Sequence, residues 1–194
     1  MAPIELVAVL GSVTPPGRLR GALEQALARA QAQALVPRLL DLAELRIAFA
    51  DGRPAGELGD DTASTIDLLR EADAVLLATP VYRGSLTGAL KNLLDHVPVD
   101  ALREKPIGIA AMGASTHHFL GAERHLRDVL AFFGATLAPT AAYLTNADFQ
   151  DGRATDAAAG QLDALIAGLA RLAAALGDER RAALGPAPLA ARHA

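Results

Sequence analysis

Three short stretches of this 194-residue chain concentrate side chains that could hold a ligand. The first is Gly11-Ser12-Val13-Thr14-Pro15-Pro16-Gly17-Arg18, which opens a helix pattern. Free backbone N–H groups and the helix dipole favour an anion there, most naturally a phosphate. Ser12 and Thr14 add hydroxyl donors, and Arg18 and Arg20 add charge. An ordinary strand–helix turn with a solvated arginine pair would need the same residues. The second stretch is Thr79–Gly88, with Pro80, Val81, Tyr82 and Arg83 at its start. Its backbone N–H groups could grip the polar edge of a planar ligand while Tyr82 packs or hydrogen-bonds beside it. The bland alternative is a turn shaped by glycines with Tyr82 in packing. The third is Gly113-Ala114-Ser115-Thr116-His117-His118. Its adjacent histidines lack the helical spacing and acidic partner of a metal site. Ser115 with either histidine is conceivable as a hydrolytic pair, but no strained nucleophile elbow accompanies it.

Several nucleotide motifs are excluded. No G-x-G-x-x-G follows the first apolar run, and no Gly-Lys-Ser/Thr closes a phosphate loop. A phosphorylated receiver domain needs acids at the ends of the first and third strands, where this chain has Leu10 and Thr79.

The elements that must position these stretches follow from periodicity. Ala74-Val75-Leu76-Leu77-Ala78 is a solid apolar run suited to a strand buried on both faces. Pro80 ends it, since proline cannot donate to a ladder and restricts the residue before it. Further strands are expected at 4–10, 36–42, 106–112 and 136–144. Helices are expected at 18–34, from Thr62 as a cap to before Asp73, at 89–95, at 119–134 and at 155–176, the last terminated by Gly177. Residues 43–61 form a long polar excursion of the kind that is functional or mobile. Strands alternating with helices imply right-handed crossovers and an α/β fold with a five-stranded parallel sheet of order 2-1-3-4-5. The loops after strands one, three and four then converge at the switch point, and they are the three stretches above.

Bulk properties agree with one domain over residues 1–177, followed by a mobile tail at 178–194. Hydrophobic residues make up 52% of the chain, enough for a full core. Zero cysteines exclude disulfides, thiolate metal sites and cysteine nucleophiles. A net charge of −4 with scattered basic residues gives no nucleic-acid footprint. No window reaches about 18 uninterrupted apolar residues, and the first residues lack the pattern of a signal peptide. A cytoplasmic protein with no membrane partner is expected.

The run Thr79-Pro80-Val81-Tyr82-Arg83-Gly84-Ser85-Leu86-Thr87-Gly88-Ala89-Leu90-Lys91-Asn92-Leu93-Leu94-Asp95 resembles the flavin-ring loop of the NAD(P)H-dependent FMN reductases, T-P-x-Y-x-x-x-x-x-G-x-L-K-x-x-x-D. Met112–His118 is similar to their third flavin-contacting loop. Within that family the chain is most similar to the alkanesulfonate-utilisation flavin reductases of two-component monooxygenase systems. The resemblance implies a flavodoxin-like three-layer sandwich, FMN as cofactor or substrate, and hydride delivery from NADPH or NADH to flavin N5. It also implies a homodimer or homotetramer and a flavin-dependent monooxygenase as partner. By position, Ser12, Thr14, Gly17, Arg18, Leu19 and Arg20 would hold the FMN phosphate. Pro80, Val81, Tyr82 and Arg83 would line the ring, with Gly113, Ala114, Ser115 and Thr116 on its pyrimidine side.

Two features of this chain qualify the match. Gly17 and Leu19 stand where the family's phosphate loop carries hydroxyls, leaving backbone N–H groups and arginines to do more. His125 occupies a helix that in two-component members carries an inserted Tyr or His making a π-bulge; a solvated histidine in a regular helix is the alternative. The expected activity is FMN reduction with release of the reduced flavin. One alternative is an FMN-retaining quinone, azo or metal-oxyanion reductase. The other is a non-enzymatic electron carrier, which the chain's two Tyr and five Phe serve poorly. The leucines Leu86, Leu90 and Leu93 would suit a subunit interface.

Overall fold

The computed structural model describes residues 3–14, 16–33, 35–181 and 184–189. Pro15 of the first loop, Ala34 at the expected end of the first helix, and tail residues 182, 183 and 190–194 lie outside the described residues.

Strand β1 (Ile4–Leu10) pairs in parallel with β2 (Leu35–Asp41) on one side and β3 (Ala74–Pro80) on the other. Beyond β3 lies β4 (Pro106–Met112), and the fifth position follows, giving the order 2-1-3-4-5. The central strands are buried on both faces because each sends alternate residues into two different cores. Leu6, Ala8 and Leu10 of β1, with Leu76 and Ala78 of β3, pack on one side against α1 (Arg18–Gln31) and α6 (Asp156–Arg181). Val7 and Val9, with Val75 and Leu77, pack on the other against α2 (Thr62–Glu71), α3 (Gly88–His96), α4 (Val99–Leu102) and α5 (Gly121–Phe133). Leu76 and Leu77 are 0% and 1% exposed, so each contributes about 2 kcal/mol of burial.

Several elements depart from the expected pattern. The fifth position is two short strands, β5 (Thr136–Leu137) and β6 (Ala142–Leu144), both paired with β4. Between them Pro139 supplies no N–H, and the chain takes two more residues than β4 to cover the same span. Arg127 donates to the Ala138 and Pro139 carbonyls of this detour. Thr62 does not cap α2: it is the first helical residue, and its N–H donates to Asp60. The helix expected at 119–134 starts only at Gly121, after a 3-10 turn at Thr116–His118.

The 43–61 excursion is pinned. Asn92 and His96 bond the Ala48 carbonyl, and Asp60 and Asp61 accept from the Ala48 and Arg46 N–H groups. Leu90 and Leu93 are 0% exposed inside the core, so they cannot form the interface expected of them. Regular helix geometry in α6 breaks at Gly177. The segment Asp156–Gly177 is long and apolar enough to cross a membrane by length and composition. Here its Leu162, Ile166 and Leu169 pack into the core as part of the fold.

Candidate functional site

The loops after β1, β3 and β4 meet at the carboxyl edge of the sheet, and hydrogen bonds lock them together. The buried Thr87 hydroxyl donates to the Gly11 carbonyl and accepts from Leu90 N–H, capping α3. The Thr87 N–H donates to Thr79 Oγ1, and Gly11 N–H donates to the Ala78 carbonyl at 2.7 Å. Val81 N–H reaches the Met112 carbonyl at 2.8 Å, tying in the third loop. Within the second loop, Tyr82 and Ser85 exchange both backbone bonds, at 2.9 and 3.0 Å. The two residues between them, Arg83 and Gly84, have φ of 52° and 76°. This is a two-residue type I′ hairpin, which needs positive φ at both central positions. Its tip is held from α5, where His125 Nδ1 lies 2.7 Å from Ser85 Oγ. That helix is regular throughout, so His125 sits in no π-bulge.

A cavity of about 240 Å³ joins the first two loops. Ser12, Thr14, Gly17, Arg18, Leu19, Arg20, Pro80 and Tyr82 all line it, together with Asp41 and Met112. Beside it a second cavity, about 350 Å³, is lined by Val81, Arg83, Gly113, Ala114 and His118. Ser115 and Thr116 line neither of these two. The Ser115 carbonyl accepts from the Tyr143 hydroxyl at 2.8 Å, and its own hydroxyl accepts weakly from His117 N–H at 3.5 Å. A hydrolytic Ser–His pairing therefore has no geometric basis here. Gly113 is required by Tyr143, since a Cβ there would lie 2.1 Å from its hydroxyl. Burial raises the Tyr143 pKa. A larger cavity, about 490 Å³, lies elsewhere, between α6 and the β5–β6 detour. Its polar lining is limited to Gln161, Thr140 and Arg171, with no facing acid and base, so volume does not mark the chemistry.

The residues expected at the phosphate differ in their surroundings. Gly17 caps α1 without a side-chain hydrogen bond, so the first-turn N–H groups remain available to an anion. The Ser12 and Thr14 hydroxyls are 2.8 Å apart at the same end. Leu19 is buried and can offer only its backbone. Arg18 pairs with no carboxylate among the described residues. It donates to Asn146 Oδ1 at 2.8 Å, and its guanidinium lies 5.3 Å over the Phe149 ring. Asn146 and Phe149 are placed by a capping box between Thr145 and Asp148, and by a small hairpin of β7 (Phe149–Gln150) and β8 (Arg153–Ala154).

Arg20, expected on the phosphate, lines the cavity and pairs with three carboxylates: Glu24 at 2.8 Å, Asp41 at 2.8 Å and Glu44 at 2.6 Å. Hydrogen bonds to Glu24 and then Glu44 hold its guanidinium above its already high ordinary pKa. Sequence reasoning missed Asn146, Phe149, Asp41 and Tyr143 as parts of the site. Only the Thr145-x-x-Asp148 spacing carried a readable signal for any of them. Among the described residues no three His, Asp or Glu side chains are grouped to hold a metal.

Fold and crevice define a flavodoxin-like α/β protein with two cavities at the ends of β1, β3 and β4. Residues 4–150 match the model of the NADPH-dependent FMN reductase family. An NADH-dependent FMN reductase, SfnE of Pseudomonas putida, is 32% identical over 157 residues, 80% of this chain and 84% of the relative. An NAD(P)H-dependent FAD/FMN reductase of Geobacillus thermodenitrificans is 39% identical over 114 residues, 59% of this chain and 62% of that relative. Among solved structures, an apo NADH:FMN oxidoreductase (EMOB) superposes with a TM-score of 0.73 at 26% identity, over 90% of this chain and 91% of the other. The chain belongs to the NADPH-dependent FMN reductase family, and with it to the oxidoreductases.

Proposed function

We propose that this protein reduces FMN with NADPH or NADH and releases the reduced flavin to a flavin-dependent monooxygenase. The observation that supports the reading is the cavity shared by the first two loops, lined both by the hydroxyls and arginines of the first loop and by Pro80 and Tyr82 of the second. The residues fit FMN: uncapped N–H groups, two hydroxyls and Arg18 face the phosphate end. Pro80, Val81, Tyr82 and Arg83 line the ring, while the backbone of Gly113 and Ala114 bounds the pyrimidine side; Ser115 and Thr116, outside both cavities, serve that side only through the Tyr143 bond to the Ser115 carbonyl. When bound, FMN and the nicotinamide supply the redox chemistry, a hydride passing from nicotinamide C4 to flavin N5.

The chain's own contribution is orientation. The locked loops hold their N–H groups and the hairpin in place before ligand arrives, so little ordering remains to oppose a near-attack geometry. Release is supported by the phosphate end, where Gly17 and Leu19 offer no hydroxyl and Arg20 is engaged elsewhere. Exposed Tyr82 and Phe119 beside the site support a covering second copy, in a homodimer or homotetramer. Flavin content of purified protein and steady-state kinetics test the reading. Colourless protein with sequential kinetics on added FMN is expected. Permanently yellow protein with ping-pong kinetics and quinone turnover would assign it to the flavin-retaining reductases instead.

A further inference from the structure

The phosphate end of the crevice contains two arginines, and the structure gives them opposite surroundings. Among the described residues Arg18 has only neutral partners, Asn146 and the Phe149 ring. Arg20 faces three carboxylates, of which Asp41 lines the cavity itself and is 4% exposed in its side chain. Arg20 cannot turn to a ligand without leaving that buried carboxylate unpaired, which is strongly unfavourable. The Arg20 cluster thus presents net negative charge beside the place where a dianionic phosphate would sit. Glu24 and Glu44, which complete it, are outside the cavity lining and are 51% and 63% exposed.

We propose that Glu24 and Glu44, by saturating Arg20, set the flavin specificity of this crevice, so that it distinguishes poorly between FMN and its phosphate-free counterpart, riboflavin. Of the two arginines that line the cavity, Arg18 is then the one available to the phosphate, and Asn146 and Phe149 are its positioning residues. The inference rests on the flavin reading above and names a specificity that reading leaves open. Its chemistry is electrostatic: an uncharged ribityl end is indifferent to the cluster, and a phosphate is not.

Fluorescence titrations of the full chain with FMN and with riboflavin, at low salt, test it. Wild-type protein is expected to prefer FMN by less than about tenfold. The Glu24→Gln/Glu44→Gln double variant should tighten FMN about five- to tenfold, the scale of removing two charges within a screening length, and leave riboflavin unmoved. Arg18→Met should weaken FMN alone. A wild-type preference above about tenfold overturns the proposal, and that ratio decides the matter should the double variant not fold. So does a double variant in which the FMN-to-riboflavin ratio stays put. If neither flavin binds, the flavin reading itself falls; if both bind and the ratio does not respond, only this inference falls.

Discussion

Replacing Thr87 by valine removes one oxygen and breaks the stitch between the loops after β1 and β3. The side chain is 4% exposed, so no water can take its place. Two bonds go at once. Leu90 N–H loses its cap, worth about 1 kcal/mol, and the buried Gly11 carbonyl loses its donor, costing about 1–3 kcal/mol. The sum, about 2–4 kcal/mol, corresponds to a fall in Tm of roughly 5–15 °C for a chain of this size. Thr87→Ser keeps both bonds and gives up one methyl group, about 1 kcal/mol. Urea unfolding of the three proteins, with FMN titration of each, measures both consequences. The valine variant should also bind FMN more weakly, because the phosphate and ring loops are no longer held in register. The reasoning is refuted if valine costs less than about 1 kcal/mol, or if serine costs as much as valine.

Other outcomes follow from the same geometry. Gly113→Ala should lose about 1–3 kcal/mol by overpacking against the Tyr143 hydroxyl, and adding Tyr143→Phe should restore most of it in a thermal melt. The buried Lys105 ammonium donates to the Leu69, Arg70 and Ala72 carbonyls at the end of α2. Lys105→Met should therefore cost about 2–4 kcal/mol in urea unfolding, since charged donors to buried acceptors are lost. Bonds from the Thr62 side chain and backbone lower the Asp60 pKa below 3.8. Its stabilisation is present above that ordinary value and disappears as pH falls through the lowered one. The stability gap between wild type and Asp60→Asn should accordingly be constant near neutrality and close in acid; a gap that widens below pH 4 would reverse the sign argued here.

The strand order was legible because β1, β3 and β4 are continuous apolar runs, and periodicity reports burial directly. The end of β3 at Pro80 was legible for a different reason, since proline is a local stop, whereas the four-residue hairpin at Tyr82–Ser85 was read only as a loop. The parts that escaped depend on contacts distant in sequence. Arg20 meets Asp41 and Glu44 only because α1 lies beside β2, and no spacing within the first loop reveals that its charge is already engaged. Arg18 finds Asn146 across 128 positions. Thr62 was misplaced by one residue, since Asp60 and Asp61 upstream competed for the start of α2 and burial took its hydroxyl. The split fifth strand was announced by Pro139, yet apolar flanks on both sides disguised it.

Arg83 occupies a backbone conformation that suits glycine or asparagine, at φ 52° in the tip of the hairpin. A side chain there carries a penalty of about 1 kcal/mol. Any search for sturdier variants of this protein, by consensus or by selection at high temperature, will therefore tend toward Arg83→Gly or Arg83→Asn. Such a variant would melt later while the cavity beside Val81 and Gly113 lost its arginine. If Arg83 meets the flavin as proposed, thermal robustness and binding are set against each other at a single residue, and a screen that reads melting temperature alone would select against the cavity lining.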